Sequence, residues 1–367
     1  MKKITFVCAR FHPDVGGVEK HVLELSRKFT LDGYKVTVIT VTKDKNAKRT
    51  ESYEGINIIR ILAGRDGIIN RLYVNFKFLR LIKIITESDY IHFHDYFTIW
   101  GWNMLSVIIA KAIFKKKIYV TFHGWEGDFP PKKDVIFKRK IISGFCDGSI
   151  SIGHFIEKWY RTTSDVVSYG ATSFTCLEDK DKDKDKDKDK DNPYPLEKDN
   201  VIKLLFIGRL EPDTGIREYL EQMTNIKDNN VILDICGDGS LRNEVLEFIS
   251  NSGDQRVVNY HGFVKNIESY IDGCDFVLTS GYLGILESFA RKKLVISVYD
   301  NELKHDYLRM IPNSQSMLYI CDAERKLNGA LFLNKLEKQR MIEAAYEFSL
   351  NHSWDSMQEN YLKLWER

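Results

Sequence analysis

Short runs of apolar residues alternate with segments of helical spacing along most of the chain. Many of the runs are apolar almost throughout, which is typical of strands that helices cover on both faces. The pattern predicts strands at residues 4–8, 35–41, 56–62, 90–94, 118–122, 148–152 and 166–169, and a second series at 203–207, 231–236, 257–260, 275–278, 294–298 and 317–321. Strands alternating with helices build parallel sheets, so we predict an α/β protein with two doubly wound, Rossmann-like domains.

The segment between the two series marks the domain boundary. Asp and Lys alternate from residue 179 to 191 without any apolar side chain, so this stretch cannot pack and should be a flexible linker. The predicted parts are a first domain (1–171), a linker (172–200), a second domain (201–345) and a terminal helix (346–367). That helix carries one apolar stripe, and it either caps its own domain or crosses back to the first. The repeat contains Asp-x-Asp but follows no strand end, so we expect no metal site.

Charge is distributed unevenly over the 367 residues. The net charge is only +2, yet residues 1–165 carry +11 and residues 166–367 carry −9. Basic clusters at 115–117, 132–133 and 138–140 could meet anionic lipid, nucleic acid or a phosphorylated acceptor, or could form a solvated rim. No recognised nucleic-acid-binding motif accompanies this charge, so we expect no nucleic-acid partner.

Several features indicate a cytoplasmic protein. The six cysteines are scattered without a Cys-x-x-Cys pair, which favours buried free thiols in a reducing compartment. The first apolar run ends at Arg10, too early for an export signal, and no uncharged run nears the roughly 20 residues of a membrane span. The basic, aromatic-rich segment 73–80 either docks peripherally on the inner face of the membrane or is an ordinary core-facing helix.

The most informative tract follows the short strand near residue 276. A glycine turn leads into a helix with an acid, Glu287, in about its first turn. Free backbone amides at a helix start attract anions, and a carboxylate just inside can hold a sugar hydroxyl. This combination suits a nucleotide-sugar, with the diphosphate on the amides and the diol on the acid. The candidate donor contacts are Ser280, Gly281, Tyr282, Leu283 and Glu287.

Other strand ends of the second domain supply further candidates. Arg209 follows a buried strand and a glycine, and its guanidinium fork suits a diphosphate. The alternative is a surface salt bridge with Glu211 or Asp213. Gly237 and Gly262 end the next two strands, where backbone contacts could frame the base of the donor.

In the first domain, ligands of open α/β sheets lie beyond the carboxyl ends of the strands. His123 follows such a strand and could bond a sugar hydroxyl or accept a proton, although a purely structural histidine is the alternative. The spacing of the histidines does not support a metal site. Gly16 and Gly17 before the first helix either let a ligand approach the backbone or form a plain turn. Acceptor-side candidates are His94, Asp95 and Glu126.

Read in order, these motifs resemble those of the family 4 retaining glycosyltransferases of the GT-B fold. The resemblance is carried by the Gly-Gly loop, Phe122-His123-Gly124, Ser168-Tyr169-Gly170-Ala171, Gly208-Arg209-Leu210, Gly237-Asp238-Gly239 and the tract from Ser280 to Ala290. It implies two domains facing across a cleft and transfer of a sugar from a UDP- or GDP-linked donor to a glycan, lipid-linked or other acceptor. Retention of configuration, with no metal and no cofactor, is implied as well. By the same resemblance Arg209 binds the diphosphate, Glu287 the ribose, Gly16 and Gly17 the donor phosphates, and His123 the transferred sugar.

The chain departs from the family pattern at two positions. Thr214 stands where a lysine usually shares the diphosphate charge, and Lys265 or Arg217 could replace it. Thr279 stands where the first of two glutamates is usual, in a branch with a Ser-Gly-Tyr-Leu tract. Two alternatives therefore stay open: a nucleotide-sugar 2-epimerase of the same fold, and a catalytically inactive sugar-nucleotide-binding subunit.

Overall fold

The computed structural model describes residues 1–14, 16–64, 67–174, 201–226, 230–252 and 257–367. These residues divide into two units. The first consists of Met1–Gly170 together with Trp354–Arg367, and the second of Ala171–Ser353. Residues 175–200, which hold most of the predicted linker and Cys176, lie outside the described residues.

The first unit is built on an eight-stranded sheet whose central strands are buried. Its described strands are β1 (Lys3–Cys8), β2 (Lys35–Thr42), β3 (Thr50–Tyr53), β4 (Ile56–Leu62), β5 (Tyr90–His94), β6 (Ile118–Phe122), β7 (Gly148–Ile152) and β8 (Val166–Ser168). The strand order is β3-β4-β2-β1-β5-β6-β7-β8, and β3 alone among them pairs antiparallel with its neighbour. All five residues of β5 and of β6 are buried, as expected for strands with helices on both faces.

Eight described helices belong to this unit. They are α1 (Gly17–Leu31), α2 (Ile68–Leu79), α3 (Ile82–Glu87), α4 (Tyr96–Trp100), α5 (Met104–Ala112), α6 (Lys133–Phe145), α7 (His154–Tyr160) and, at the end of the chain, α16 (Trp354–Trp365). The apolar stripe of α16 is buried in the first unit, where the Trp365 ring stacks on Tyr90 at 4.6 Å and on Phe29 at 5.1 Å. The terminal helix is therefore part of the core of the first unit.

The second unit contains a six-stranded parallel sheet in the order β11-β10-β9-β12-β13-β14. Its described strands are β9 (Ile202–Ile207), β10 (Val231–Cys236), β11 (Val257–Gly262), β12 (Phe276–Leu278), β13 (Leu294–Ser297) and β14 (Leu318–Ile320). The helices are α8 (Ile216–Thr224), α9 (Arg242–Ser252), α10 (Ile267–Gly273), α11 (Tyr282–Ala290), α12 (Glu302–Arg309), α13 (Ser314–Met317), α14 (Leu327–Leu331) and α15 (Lys335–Leu350). Leu204, Phe206, Leu233 and Leu278 are among its buried core residues.

The structure confirms the predicted fold class of two parallel-sheet, Rossmann-like units. Each predicted strand is present, and the additional strand β3 is a short, polar edge strand that lacks the apolar signal. The five described cysteines are free thiols. None of the helices in the described residues combines the length and apolar content that crossing a bilayer requires.

Candidate active site

Two predicted histidines of the first unit lie together at the carboxyl ends of neighbouring strands. β5 and β6 are paired so that His94 lies beside Thr121. β6 ends at Phe122, and His123 follows directly. His94 Nδ1 lies 2.8 Å from His123 Nε2. Asp95 has a positive φ of 68°, uncommon for a residue with a side chain, and its Oδ1 accepts the His123 amide at 3.1 Å. This strained turn fixes the backbone from which His123 projects.

A third histidine, His21 of α1, completes what we call the histidine cluster: His21, His94 and His123. The His21 ring lies edge-on to His123, with ring centroids 4.7 Å apart. Its Nε2 lies 3.0 Å from the hydroxyl of Tyr361 on α16. His21 is not among the candidates predicted from the sequence. Its only signal was its position on the sheet-facing side of α1, where an apolar residue is the usual occupant.

Burial keeps the imidazoles of the cluster neutral. It lowers the pKa of His21 and of His94 well below the ordinary value of 6.5. It also lowers the pKa of His123 to about 3, to which the positive charge of Arg139 contributes. Burial raises the pKa of the Asp95 carboxyl. At neutral pH His123 therefore acts as an uncharged hydrogen-bonding group.

One ring nitrogen from each histidine of the cluster lies within 4.8 Å of the others. Neutral imidazoles so close together can hold a transition-metal ion, and the spacing along the chain did not reveal this grouping. His94 Nε2 is buried and has no hydrogen-bond partner among the described residues. The expected independence from metal stays a prediction.

Glu126, a predicted acceptor-side residue, forms an ion pair with the buried Arg139. Arg139 Nη2 donates to its Oε1 at 2.8 Å, and the Tyr160 hydroxyl donates to its Oε2 at 2.6 Å. The Arg139 side chain is only 2% exposed and lies over the Tyr160 ring. The basic cluster 138–140 is therefore not wholly at the surface, because the side chain of its middle member is buried and pairs with Glu126.

Gly16 and Gly17 lie where α1 begins. Gly16 is the N-cap, and no side chain caps the helix there among the described residues. A Cβ added at Gly17 would meet no atom within 4 Å, so the space beside it is open. At Gly16, in contrast, a Cβ would collide with the carboxylate of Glu19, so an acidic group already lies beside the start of α1.

Arg209 follows β9 in the second unit and pairs with Asp213. Its Nη2 donates to the Asp213 carboxylate at 3.0 Å, and the side chain is 61% exposed. This is one of the two salt bridges that the sequence left open as alternatives. Thr214 stands at the position of the missing lysine. Its hydroxyl donates a hydrogen bond to the backbone oxygen of Arg209 at 2.8 Å. Thr214 therefore stabilises the Arg209 turn instead of supplying charge.

The helix start predicted to bind an anion is present at α11. Gly281 is exposed and is the N-cap residue, without a side-chain cap among the described residues. The first amide, of Tyr282, donates to the Tyr307 hydroxyl at 2.8 Å. Glu287 is the sixth residue of α11, in the second turn, one turn deeper than predicted. Leu283 and Glu287 are half-buried.

Lys304 of α12 is a further candidate site residue, and it was not predicted from the sequence. It is only 8% exposed, and its Nζ lies 4.6 Å from the centre of the Tyr307 ring. Burial lowers its pKa, the carboxylates of Asp213 and Asp300 act in the opposite direction, and the charge of Arg209 adds to the lowering. These groups therefore share one neighbourhood beside the start of α11. No motif marks Lys304, which explains why it was missed.

The two residues proposed as substitutes for the missing lysine lie elsewhere. Arg217 is engaged with Glu244 through two hydrogen bonds of 2.7 and 2.8 Å. Lys265 is exposed on the loop after β11. Lys304 is better placed than either to act with Arg209.

Three other predicted donor contacts have structural roles. The Ser280 hydroxyl joins the ends of β12 and β13 by bonding Val298 O at 2.8 Å, and it lies 2.9 Å from the Tyr219 hydroxyl. A Cβ at Gly237, whose φ is 158°, would collide with the carbonyl oxygen of Gly208. Gly262 accepts the Gly237 amide at 2.8 Å and has a φ of 65°. These glycines allow the strand-end loops to pack closely.

Comparison with known protein families gives one match in each half of the chain. Residues 15–167 match Glycosyltransferase Family 4, and residues 187–298 match Glycosyl transferases group 1. No curated protein matches the sequence.

Solved structures share the fold at low sequence identity. Sucrose-phosphate synthase from Thermosynechococcus elongatus aligns with a TM-score of 0.75 and 16% identity, covering 100% of this chain and 98% of its own. A glycosyltransferase from Rickettsia africae aligns with a TM-score of 0.69 and 18% identity, covering 100% of this chain and 98% of its own. HepE from Anabaena, in complex with UDP and glucose, aligns with a TM-score of 0.70 and 12% identity, and 99% of each chain is covered. At these identities the likeness establishes the fold alone.

Proposed function

Since both halves of the chain match glycosyltransferase families, the chain is a glycosyltransferase, and we propose that it transfers a sugar from a UDP- or GDP-linked donor with retention of configuration. The acceptor in this proposal is a glycan, lipid-linked or other molecule, and neither metal nor cofactor takes part. The observation that carries the proposal is the position of Lys304: its Nζ lies 4.6 Å from the ring centre of Tyr307, and the Tyr307 hydroxyl accepts the first amide of α11. The charge of Arg209 acts on both Lys304 and Tyr307.

The donor site follows from charge and helix geometry in the second unit. A nucleoside diphosphate carries negative charge that two cations and the positive end of α11 would stabilise together. The amides of Leu283 and Gly284 follow the N-cap, where intrahelical acceptors are lacking. Glu287, about one turn further on, would hold the ribose hydroxyls. The Anabaena neighbour binds UDP and glucose, so UDP-glucose is the first donor to test.

The chemical step needs little from side chains. We propose that the bond between the sugar anomeric carbon and the diphosphate oxygen breaks while the acceptor hydroxyl attacks from the same face. The acceptor proton passes to the departing phosphate oxygen. Arg209 and Lys304 stabilise the charge that develops on the diphosphate, which is electrostatic preorganisation. The neutral His123 imidazole positions a hydroxyl of the transferred sugar.

Contact with the inner face of a membrane is part of the proposal. Four apolar side chains on one face of α2 are largely exposed: Ile68 at 77%, Ile69 at 85%, Leu72 at 66% and Phe76 at 53%. Arg71, Lys77 and Arg80 accompany them, and α2 contains no acidic residue. An exposed apolar stripe with flanking cations is suited to an anionic lipid surface. A lipid-linked acceptor would be presented there.

Substitutions in the donor site test the proposal. We expect Arg209→Ala, Lys304→Met and Glu287→Ala each to lower kcat/KM for UDP-glucose at least about tenfold, because a hydrogen bond to a charged group contributes roughly 1.5–3 kcal/mol. Two matched controls are Arg217→Ala, exposed and paired with Glu244, and Lys265→Met, exposed after β11. Normal turnover of all three site variants would refute the assignment.

Incubation with donor alone separates the alternatives. A 2-epimerase would convert the nucleotide-sugar without an acceptor, and an inactive subunit would bind the donor without transfer or hydrolysis. The proposed transferase releases UDP at its full rate only when an acceptor is present.

A further inference from the structure

A separate cavity of about 260 Å³ lies in the first unit, between the start of α2, α4 and the middle of α6. It is somewhat smaller than the roughly 300–1,000 Å³ of pockets for drug-sized ligands, so it suits one small ring with its substituents. Six of the lining residues carry aromatic or cationic side chains: Arg71, Tyr96, Phe97, Trp100, Trp102 and Lys138.

Aromatic side chains are the most frequent type in the walls of this cavity. Four of its nine lining residues are aromatic, and the Phe97 and Trp102 rings pack edge to face at 5.5 Å. Tyr96 is buried, and both tryptophans are half-buried. Rigid aromatic walls present flat apolar faces at low cost in conformational entropy, and the C–H face of a sugar ring stacks on such surfaces.

The charge of the lining is positive. Arg71 and Lys138 both contribute, and none of the lining residues in the described part of the chain is acidic. Lys138 already pairs with Asp134 at 2.7 Å. The exposed Arg71 guanidinium makes no hydrogen bond or ion pair with any described side chain, so its fork is available for an anion.

We propose that this cavity binds the acceptor as an anionic glycosyl group, with the sugar ring on Trp100 and Trp102 and a phosphate on Arg71. The assignment rests on the proposed function, because it names the acceptor of that reaction. A phosphate-bearing sugar has two sources: a soluble sugar phosphate, or the head group of a lipid-linked sugar, whose chain would follow the exposed apolar face of α2.

Fluorine NMR of the full chain labelled with 5-fluorotryptophan tests the binding directly. All six tryptophans lie in the first unit, and Trp100→Phe and Trp102→Phe assign the two resonances of the cavity. We expect glucose 6-phosphate to shift these two signals saturably, without donor, and to bind at least about tenfold more tightly than glucose. Arg71→Met should remove this advantage. Arg80→Met, an exposed cation of the same helix region that stacks on Phe76, should retain it.

The outcomes are separable. The cavity assignment is overturned if the Trp354 and Trp365 signals respond instead, if glucose binds as tightly as its phosphate, or if Arg71→Met binds like the unmodified chain. A farnesyl-phosphate-linked glucose that binds more tightly than glucose 6-phosphate identifies the lipid source, and equal or weaker binding identifies the soluble one. Binding at Trp100 and Trp102 without transfer from any UDP- or GDP-linked sugar would remove the proposed function alone. Normal transfer by Arg71→Met would remove the cavity assignment alone.

Discussion

Removal of the Tyr361 hydroxyl should destabilise the first unit measurably. This hydroxyl is fully buried and joins two groups: it lies 3.0 Å from His21 Nε2 and 2.8 Å from Thr121 Oγ1. Thr121 keeps a second partner, His92 Nε2 at 2.7 Å. Losing its hydrogen bond to Tyr361 therefore lowers the free energy of unfolding by only about 1 kcal/mol. The buried His21 nitrogen loses the bond to Tyr361, which costs about 1–3 kcal/mol. We therefore expect Tyr361→Phe to lower the free energy of unfolding by about 2–4 kcal/mol.

Tryptophan fluorescence during urea unfolding measures this effect selectively, because every tryptophan belongs to the first unit. The matched control is Tyr119→Phe, which also removes one hydroxyl from the contact with α16, where it donates to Trp365 O at 3.0 Å. It should cost only about 1 kcal/mol. If Tyr361→Phe unfolds within about 0.5 kcal/mol of the unmodified chain, or if the control is the more damaging change, the hydroxyl does not support the histidine cluster.

Two further predictions concern acid and membranes. Burial lowers the pKa of four histidines below the unfolded value of 6.5: His21, His92, His94 and His123. Their contribution to the free energy of unfolding is therefore fully present above pH 6.5. It is lost as the pH falls towards the folded pKa values. The fluorescence-detected urea midpoint should fall between pH 7.5 and 5.5, each histidine contributing up to about 1.4 kcal/mol per unit below 6.5, and an unchanged midpoint would contradict this. Ile69→Glu on α2 should abolish co-sedimentation with anionic vesicles, whereas Leu350→Glu, exposed at the end of α15 in the second unit, should not; equal binding by both would exclude α2 as the contact.

The strands could be predicted because burial on both faces leaves a continuous apolar signal. β3 was not predicted because an edge strand with one neighbour needs no apolar run, and Thr50–Tyr53 is polar. The positions of His94, Asp95 and His123 at strand ends were predictable for a related reason, since parallel strands end at one edge of a sheet. Their hydrogen bonds were not, because these depend on register.

The sequence could not reveal groupings that depend on side chains from distant elements. Lys304 lies 95 positions after Arg209, and nothing nearby in the chain distinguishes it from a surface lysine. Arg139 lies in a run of basic residues, yet its burial follows from Glu126 and Tyr160 on other elements. Both positions became interpretable only when the carboxylates around them were placed. A run of charged residues therefore does not guarantee that each member is exposed, since one of them can be buried against partners from other elements.

The last helix shows why the two ends of the chain must be considered together. Its apolar stripe was visible in the sequence, but the stripe alone did not say which unit it covers. In the structure Tyr361 reaches His21 and Thr121, and Trp365 Nε1 donates to His92 Nδ1 at 3.1 Å. The His92 ring is thereby engaged at both nitrogens, which leaves the neighbouring His94 to pair with His123. Because α16 fixes the rings behind His123, substitutions near the end of the chain should alter the histidine cluster in the first 123 residues.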